Sequence, residues 1–265
     1  MSDLDSTIKR RVLKITDLTA SWEEDEIVTE YPLTLFVNDQ EFATIVCTPS
    51  DLEEMVIGFL ASEGAIRSYS EIKHISIDTA QGFAYIELHE QTLLSQQFYS
   101  KRRITSCCGK SRQSFYFFSD ARTTKPVESN TVVTTAQCID LMSKLQASSA
   151  MHRSTGGVHN AALCTPEGIL LGYSDIGRHN ALDKIFGHCL KEGIATNDKI
   201  LVFSGRISSE VLLKSAKIGA GILISKSAPT ELALNLAEEL AITAIGFVRG
   251  NKLNVYTHHE RVQLP

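Results

Sequence analysis

From Val158 onward the chain alternates two patterns, and this alternation restricts its fold more than any other feature. The runs "VHNAALC", "GILLGYS", "KILVFSG", "GILISK" and "AITAIGFV" are short and apolar, which predicts buried strands. Between the later ones stand "RHNALDKIFGHCLKEG", "ISSEVLLKSAKIGA" and "APTELALNLAEEL", which have helical spacing; Pro229 falls near a first turn, and Gly193 and Gly221 near ends. Strand and helix in alternation predict an α/β domain, residues 136–265, built on a mostly parallel sheet covered by helices. In such sheets ligands collect at the carboxyl ends of the strands, so the polar, glycine-bearing turns there are the places to look for function.

Upstream the pattern differs. Two β-branched and aromatic runs in "YPLTLFVNDQEFATIVC" flank Asn38-Asp39, a hairpin signal, with Pro32 at the start of the first. "TPSDLEEMVIGFLASEG" reads as a helix: Ser50 or Asp51 as N-cap, Glu53 and Glu54 in the first turn, an apolar stripe of Met55, Val56, Phe59 and Leu60, and Gly64 at the end. "EIKHISID" and "FAYIELH", joined through Ala80-Gln81-Gly82, add two strands. Together they predict a smaller α+β lobe of antiparallel strands, residues 26–135, that ends in a cysteine loop and a Thr-, Ser-, Lys- and Pro-containing connection. "AQCIDLMSKLQAS" then opens the second domain as a helix. Residues 1–25, polar and charged and holding the only tryptophan, Trp22, read as a flexible arm.

Composition narrows the function. A chain of 265 residues, 43% hydrophobic and 22% charged, can bury a sizeable core. Its net charge of −5 argues against a nucleic-acid surface, so any anion site has to be local. The first residues lack a secretory h-region and no apolar run approaches the roughly 18 residues of a membrane span, so a cytoplasmic protein without membrane association is expected. Six cysteines in a chain of this size make no disulfide scaffold. Cys47, Cys138, Cys164 and Cys189 lie in or after apolar runs and read as small core residues. No Cys-x-x-Cys pair exists, and "VHNA" is not the His-x-Glu of a zinc deaminase, so no metal site is expected.

The other two thiols, Cys107 and Cys108, are adjacent in "ITSCCGKSR", between Lys101, Arg102 and Arg103 on one side and Lys110 and Arg112 on the other. Cations lower a thiol pKa from its usual ~8.5 and so raise the thiolate fraction, and the thiolate is the nucleophile. Gly109 permits a sharp turn. A thiolate in such a loop can accept sulfur from a donor persulfide and present it to an acceptor; the plain alternative is two incidental small residues in a basic loop.

Several turns at predicted strand ends pair glycine with cations. "STGGVHNA" offers Gly156 and Gly157 for close backbone approach and His159 for proton exchange, although a tight turn explains it as well. "DIGRHNALDK" crowds Arg178, His179 and Asn180 at a helix start, an arrangement suited to phosphate; Asp175 as a surface N-cap accounts for Asp175 alone. "FSGRISSE" repeats the design with Ser204, Gly205 and Arg206, and matches neither a P-loop nor a dinucleotide fingerprint. "SKSAPT" adds another turn, and "GFVRGNK" sets Phe247 beside Arg249, Gly250 and Lys252, suited to ring stacking and phosphate contact. Five such turns on one domain point to a large anionic, nucleotide-like ligand.

In this order, "YPLTLFVN", "TPSDLEEMVIGFLASEG", the cysteine loop, "TGGVHNAAL", "DIGRHNALDK", "SGRISSE", "KSAPT" and "GFVRGNKLNVYTH" resemble the formate dehydrogenase accessory sulfurtransferases, the FdhD family, over nearly the whole chain after the arm. The resemblance implies a sulfur carrier that takes persulfide sulfur from a cysteine desulfurase. It would pass that sulfur to the molybdenum or tungsten bis-molybdopterin guanine dinucleotide cofactor before formate dehydrogenase receives it. It also implies a cytidine-deaminase-like α/β domain without zinc, a homodimer, a transient cofactor ligand that GDP would mimic, and no tightly bound metal. By matching motif, Phe247, Val248, Arg249, Gly250, Asn251 and Lys252 correspond to the family's cofactor-binding segment, and Cys107 to its persulfide cysteine. The family's Cys-x-x-Cys is not kept: the fourth position is Lys110 counted from Cys107 and Ser111 counted from Cys108. Aligning on the Cys-Gly pair would make Cys108 the carrier, so both thiols stay candidates, Cys107 first, and Lys110 would hold a terminal persulfide sulfur as its anion. A cofactor-binding chaperone that docks formate dehydrogenase without chemistry would use the same turns.

Overall fold

The computed structural model describes residues 4–89, 103–104 and 124–264. The stretch expected as an arm pairs instead into an antiparallel ribbon, β1 (Thr7–Thr16) against β2 (Thr19–Val28), turned at Asp17 and Leu18, both at positive φ. Its cross-strand partners match, with opposite charges at Lys9–Glu26, Arg10–Asp25 and Arg11–Glu24 and apolar pairs at Ile8–Ile27 and Leu13–Trp22, so the ladder can form although neither strand belongs to a larger sheet.

The smaller lobe begins with β3 (Tyr31–Val37) and β4 (Gln40–Cys47), and their link Asn38-Asp39 has φ of 47° and 63°, a type I′ hairpin turn. Helix α1 (Leu52–Ser62) follows, started at Asp51 and ended before Gly64 at φ 76°, and then β5 (Ile72–Asp78) and β6 (Phe83–Leu88). The two-residue β7 (Arg103–Ile104) completes a five-stranded sheet in the order β5-β6-β3-β4-β7. This sheet is mixed, not antiparallel: β3 runs parallel to β6 and β4 parallel to β7. The intervening α1 and β5 let the chain return in the same direction, which a tight hairpin cannot do. Leu33, Leu35, Ile45, Met55, Val56 and Leu60 fill the core between sheet and helix.

A two-residue β8 (Val133–Thr134) leads into α2 (Thr135–Ser148), capped reciprocally by Thr134 and Gln137, and then the short α3 (Ala150–Thr155). The main sheet takes β9 (His159–Thr165), β10 (Gly168–Asp175), β11 (Ile200–Phe203), β12 (Ile222–Ser225), β13 (Thr243–Arg249) and β14 (Lys252–Val255) in the order β10-β9-β11-β12-β13-β14. Helices α4 (Arg178–Glu192), α5 (Ser209–Ile218) and α6 (Glu231–Glu239) cover one face; α2 covers the other, where β15 (Val262–Gln263) pairs with β8.

The expectation of a mostly parallel sheet needs correction. Only β11-β12 and β12-β13 are parallel; β10-β9, β9-β11 and β13-β14 are antiparallel. Two-residue links cause this, Pro166-Glu167 between β9 and β10 and Gly250-Asn251 between β13 and β14, because a link that short can close only a hairpin. The class remains a mixed α/β fold.

Both faces of the sheet are apolar. Ala161, Leu163, Leu201 and Phe203 point toward α4–α6, and Ala162, Cys164, Ile200 and Val202 toward α2, as the two-residue period requires. The four cysteines outside the basic stretch are buried thiols, as their apolar settings predict. Burial pushes Cys138 and Cys164 up to about 12 and Cys189 to about 11, and raises Cys47 further.

The two lobes meet where α1 crosses α4. A Cβ on Gly58 would lie 1.8 Å from the Asp183 carbonyl oxygen, and one on Gly187 would lie 1.8 Å from that of Glu54, so the backbones touch and only glycine fits. Around the crossing, Asp183 pairs with Lys214 and accepts a 2.6 Å hydrogen bond from the Ser62 hydroxyl. Burial raises the Asp183 pKa, against the pull of Lys214.

Candidate functional site

Strand direction gathers the glycine and cation turns on one edge of the main sheet. His159 opens β9 opposite Asp175, the last residue of β10, and Phe203 at the end of β11 is paired with both Ala161 and Ser225. The turns after β11 and β12, the one before β9, the start of α4 and the end of β13 therefore share this edge.

They are tied to one another mainly by backbone groups. Asn160 N–H donates to Ser204 Oγ at 2.9 Å and Ser204 N–H to the Asn160 carbonyl at 3.0 Å. Ser225 Oγ donates to the Gly205 carbonyl at 2.6 Å, Ser227 Oγ to the Ser204 carbonyl at 3.2 Å, and Phe247 N–H to the Ser227 carbonyl at 3.2 Å. Arg249 Nε reaches the Lys226 carbonyl at 3.0 Å. Gly205 is forced: a Cβ there would sit 2.8 Å from the Phe203 ring. An edge fixed in this way is organised before any ligand arrives.

Beneath it lies a buried ion pair. Asp175 and Lys184, both 0% exposed, meet at 2.9 Å. The Asp175 Oδ2 also accepts from Thr48 N–H and Oγ1, and its Oδ1 from Gly177 N–H and Asn180 Nδ2, both at 2.8 Å. Asp175 is thus no surface cap. Gly177 is the N-cap of α4, and Asp175 holds the Gly177–Asn180 segment from below while gripping Thr48 of the smaller lobe.

The predicted site residues divide accordingly. Arg178 and His179 stand at the start of α4, and His179 Nε2 lies between two partners, 3.2 Å from Arg178 Nε and 3.2 Å from the Glu210 carboxylate, accepting from the first when unprotonated and donating to the second when protonated. His159 has its pKa lowered by burial and then by Arg178, so it is neutral near pH 7. Arg206 is exposed. Phe247 lies in a bulge of β13 at φ 53°, and the Arg249 guanidinium covers its ring at 5.6 Å. Gly250, Asn251 and Lys252 form the exposed tip beside it, whereas the Val248 side chain is buried in the core and cannot meet a ligand. Gly156 and Gly157 reach this edge for other reasons: Gly156 closes α3 at φ 64°, and a Cβ on Gly157 would strike Val28 at 2.6 Å. Cys107 and Cys108 lie outside the described residues.

Among the described residues no group of three or more His, Cys, Asp or Glu side chains is placed to hold a metal ion, and no helix is long and apolar enough to cross a membrane.

The profile of the FdhD/NarQ family matches residues 28–263. The chain belongs to the FdhD/NarQ family. It is 59% identical over 257 residues to a sulfur carrier protein FdhD of Halalkalibacterium halodurans, covering 97% of this chain and 95% of that protein. It is 58% identical over 240 residues to the one of Bacillus subtilis, covering 91% of each. A solved structure from Desulfotalea psychrophila, described as a formate dehydrogenase accessory protein, superposes with a TM-score of 0.80 at 25% identity, covering 98% of this chain and all of that one. The FdhD/NarQ match begins at Val28, so the ribbon before it lies outside the matched region.

Three features of this FdhD/NarQ edge escape a reading of the turns alone: the buried role of Asp175, its partner Lys184, and Glu210 beside His179. A signal for Lys184 existed, because it falls on the same helical face as Asn180, Ala181 and Gly187, which are buried, and an unpaired lysine would not be tolerated there.

Proposed function

We propose that this protein is a sulfur carrier for formate dehydrogenase maturation. In the first step the thiolate of Cys107, or of Cys108, attacks the terminal sulfur of a cysteine desulfurase persulfide. A new S–S bond forms on the carrier, the old one breaks, and the desulfurase leaves as its thiolate, with no net oxidation. The terminal sulfur is then handed to the molybdenum or tungsten bis-molybdopterin guanine dinucleotide cofactor, which is substrate here. That handover reduces sulfane sulfur to sulfide, with a thiol as reductant, left as a disulfide. Arg178, His179, Arg206 and the Phe247–Lys252 turn would receive the phosphates and a guanine ring, and GDP would mimic them. The protein would act as a homodimer in the cytoplasm.

The observation that carries this reading is the position of β7. Ile104, three residues before Cys107, is paired with Ile45 in parallel, and β4 runs on from there to Cys47, whose neighbour Thr48 is bonded to Asp175. The last described residue before the thiols is thus paired with a strand whose end is joined to the anion edge of the larger domain, and the names borne by the relatives support the reading.

The test is mass spectrometry after incubation with a cysteine desulfurase and cysteine. One added sulfur atom should map to Cys107 or Cys108, and the corresponding serine variant should lose both the adduct and formate dehydrogenase maturation. Full maturation by the double serine variant would sink the reading.

A further inference from the structure

The ribbon of β1 and β2 stands apart from both cores. Only its base is tied down: Thr29 N–H donates to the Ser6 carbonyl at 2.9 Å, Val28 lies against Gly157, and Glu26 bonds Ser154. From Leu13 to Glu24 every residue is exposed. At about 3.3 Å per residue, the tip projects roughly 30 Å beyond Thr7. An isolated two-stranded ribbon is marginal in water, yet this one ends in an apolar cluster: Leu13 is 48% exposed, Trp22 opposite it 60%, and Ile15 and Leu18 are 68% and 100% exposed.

The charges on that face are ordered. Strand alternation puts Arg11 and Leu13 on one face with their cross-strand partners Glu24 and Trp22, and Arg11 lies 5.2 Å over the Trp22 ring. On this face β1 presents Lys9 and Arg11, and β2 presents Glu24 and Glu26. A two-fold rotation about an axis parallel to the strands lays β1 of one copy over β2 of the other. Arg11 then faces Glu24 of the second copy and Leu13 faces Trp22 of the second copy, each twice. A perpendicular in-plane axis through the charged pairs would set like charges together. The face is therefore complementary to itself about the parallel axis, as an isologous interface requires.

We propose that this ribbon is a dimerisation arm and that its occupant is the same ribbon of a second copy. The inference rests on the homodimer of the proposed function, independently of the sulfur chemistry, and locates its contact. Trp22, the only tryptophan of the chain, reports on it directly.

The experiment combines sedimentation velocity with tryptophan fluorescence on the full chain across a micromolar dilution series. A dimer is expected, with Trp22 emission moving to the red as the dimer mass is lost. Arg11→Glu and Glu24→Lys should each weaken self-association at least about tenfold, and an equimolar mixture of the two should restore it, because each mixed pair again sets opposite charges together. Thr16→Glu, on the opposite face, should leave the dimer intact. A wild-type chain that stays monomeric overturns both the homodimer and the arm. A dimer indifferent to both charge variants, or a mixture that associates no better than either variant alone, overturns the arm and leaves the homodimer standing.

Discussion

Replacing Gly58 with alanine tests the contact that joins the two lobes. The new Cβ would begin 1.8 Å from the Asp183 carbonyl oxygen, whereas ordinary contact starts near 3.4 Å, so α1 and α4 must part by about 1.6 Å. The obstruction is helix backbone and cannot rotate aside as a side chain would. A gap of even 0.5–1 Å forfeits roughly a quarter to a half of each dispersion contact along the crossing. Overpacking of this kind typically costs about 1–3 kcal/mol, and a backbone clash belongs at or above the upper end, about 3–5 kcal/mol. Alanine's better helix propensity returns about 1 kcal/mol, leaving a net loss of roughly 2–4 kcal/mol. Urea unfolding followed by far-UV circular dichroism measures it. Gly187→Ala should cost about the same, since its Cβ meets the Glu54 carbonyl oxygen equally closely. The double variant should cost less than the sum, because the first substitution has already parted the helices. A midpoint unchanged or raised by either single variant would refute the crossing as described.

Other expectations follow from the same structure. Lys184→Met leaves the Asp175 carboxylate buried without its cation and should destabilise the fold by about 3–5 kcal/mol, whereas the added substitution Asp175→Asn should recover part of that loss in the same unfolding assay. Under the proposed function, Gly205→Ala, which drives a methyl into the Phe203 ring and displaces the neighbouring turn, should lower the affinity for GDP as a cofactor mimic, read by calorimetry, about tenfold, or about 1.4 kcal/mol. Burial raises the thiols of Cys138, Cys164 and Cys189 above the 9.0 of a free thiol, to about 12, 12 and 11. Their contribution is fully present below the unfolded value and is lost as pH rises from there through the folded values. Stability should fall above pH ~9 by about 1.4 kcal/mol per pH unit for each thiol, and Cys164→Ala should lower that slope by one such increment.

The sequence made the elements legible wherever one physical signal dominated. Asn38-Asp39 announced its hairpin, and Gly193 closes α4 at φ 65° where a helix stop was expected. Strand direction is not legible where a two-residue link outweighs strand composition, as at Pro166-Glu167. The ribbon reads as an arm because its strands mix charges with apolar residues and bury neither face, so no core-facing pattern marks them. The glycine turns were placed on one edge by strand polarity alone. Their anchor was hidden, because Thr48 lies 127 residues before Asp175 and no local pattern links the two.

That separation has a consequence for synthesis. Thr48 waits for Asp175, a partner 127 residues later. At about 5–20 residues per second the ribosome delivers it some 6–25 s afterwards. During that interval the emerging smaller lobe has its helix but no counterpart for the Gly58 face, and the Ser62 hydroxyl and Thr48 amide have only water to bond. The nascent chain therefore passes through a half-built state whose completion depends on the second domain. Premature termination before α4 would leave an adhesive fragment, not an independent small protein.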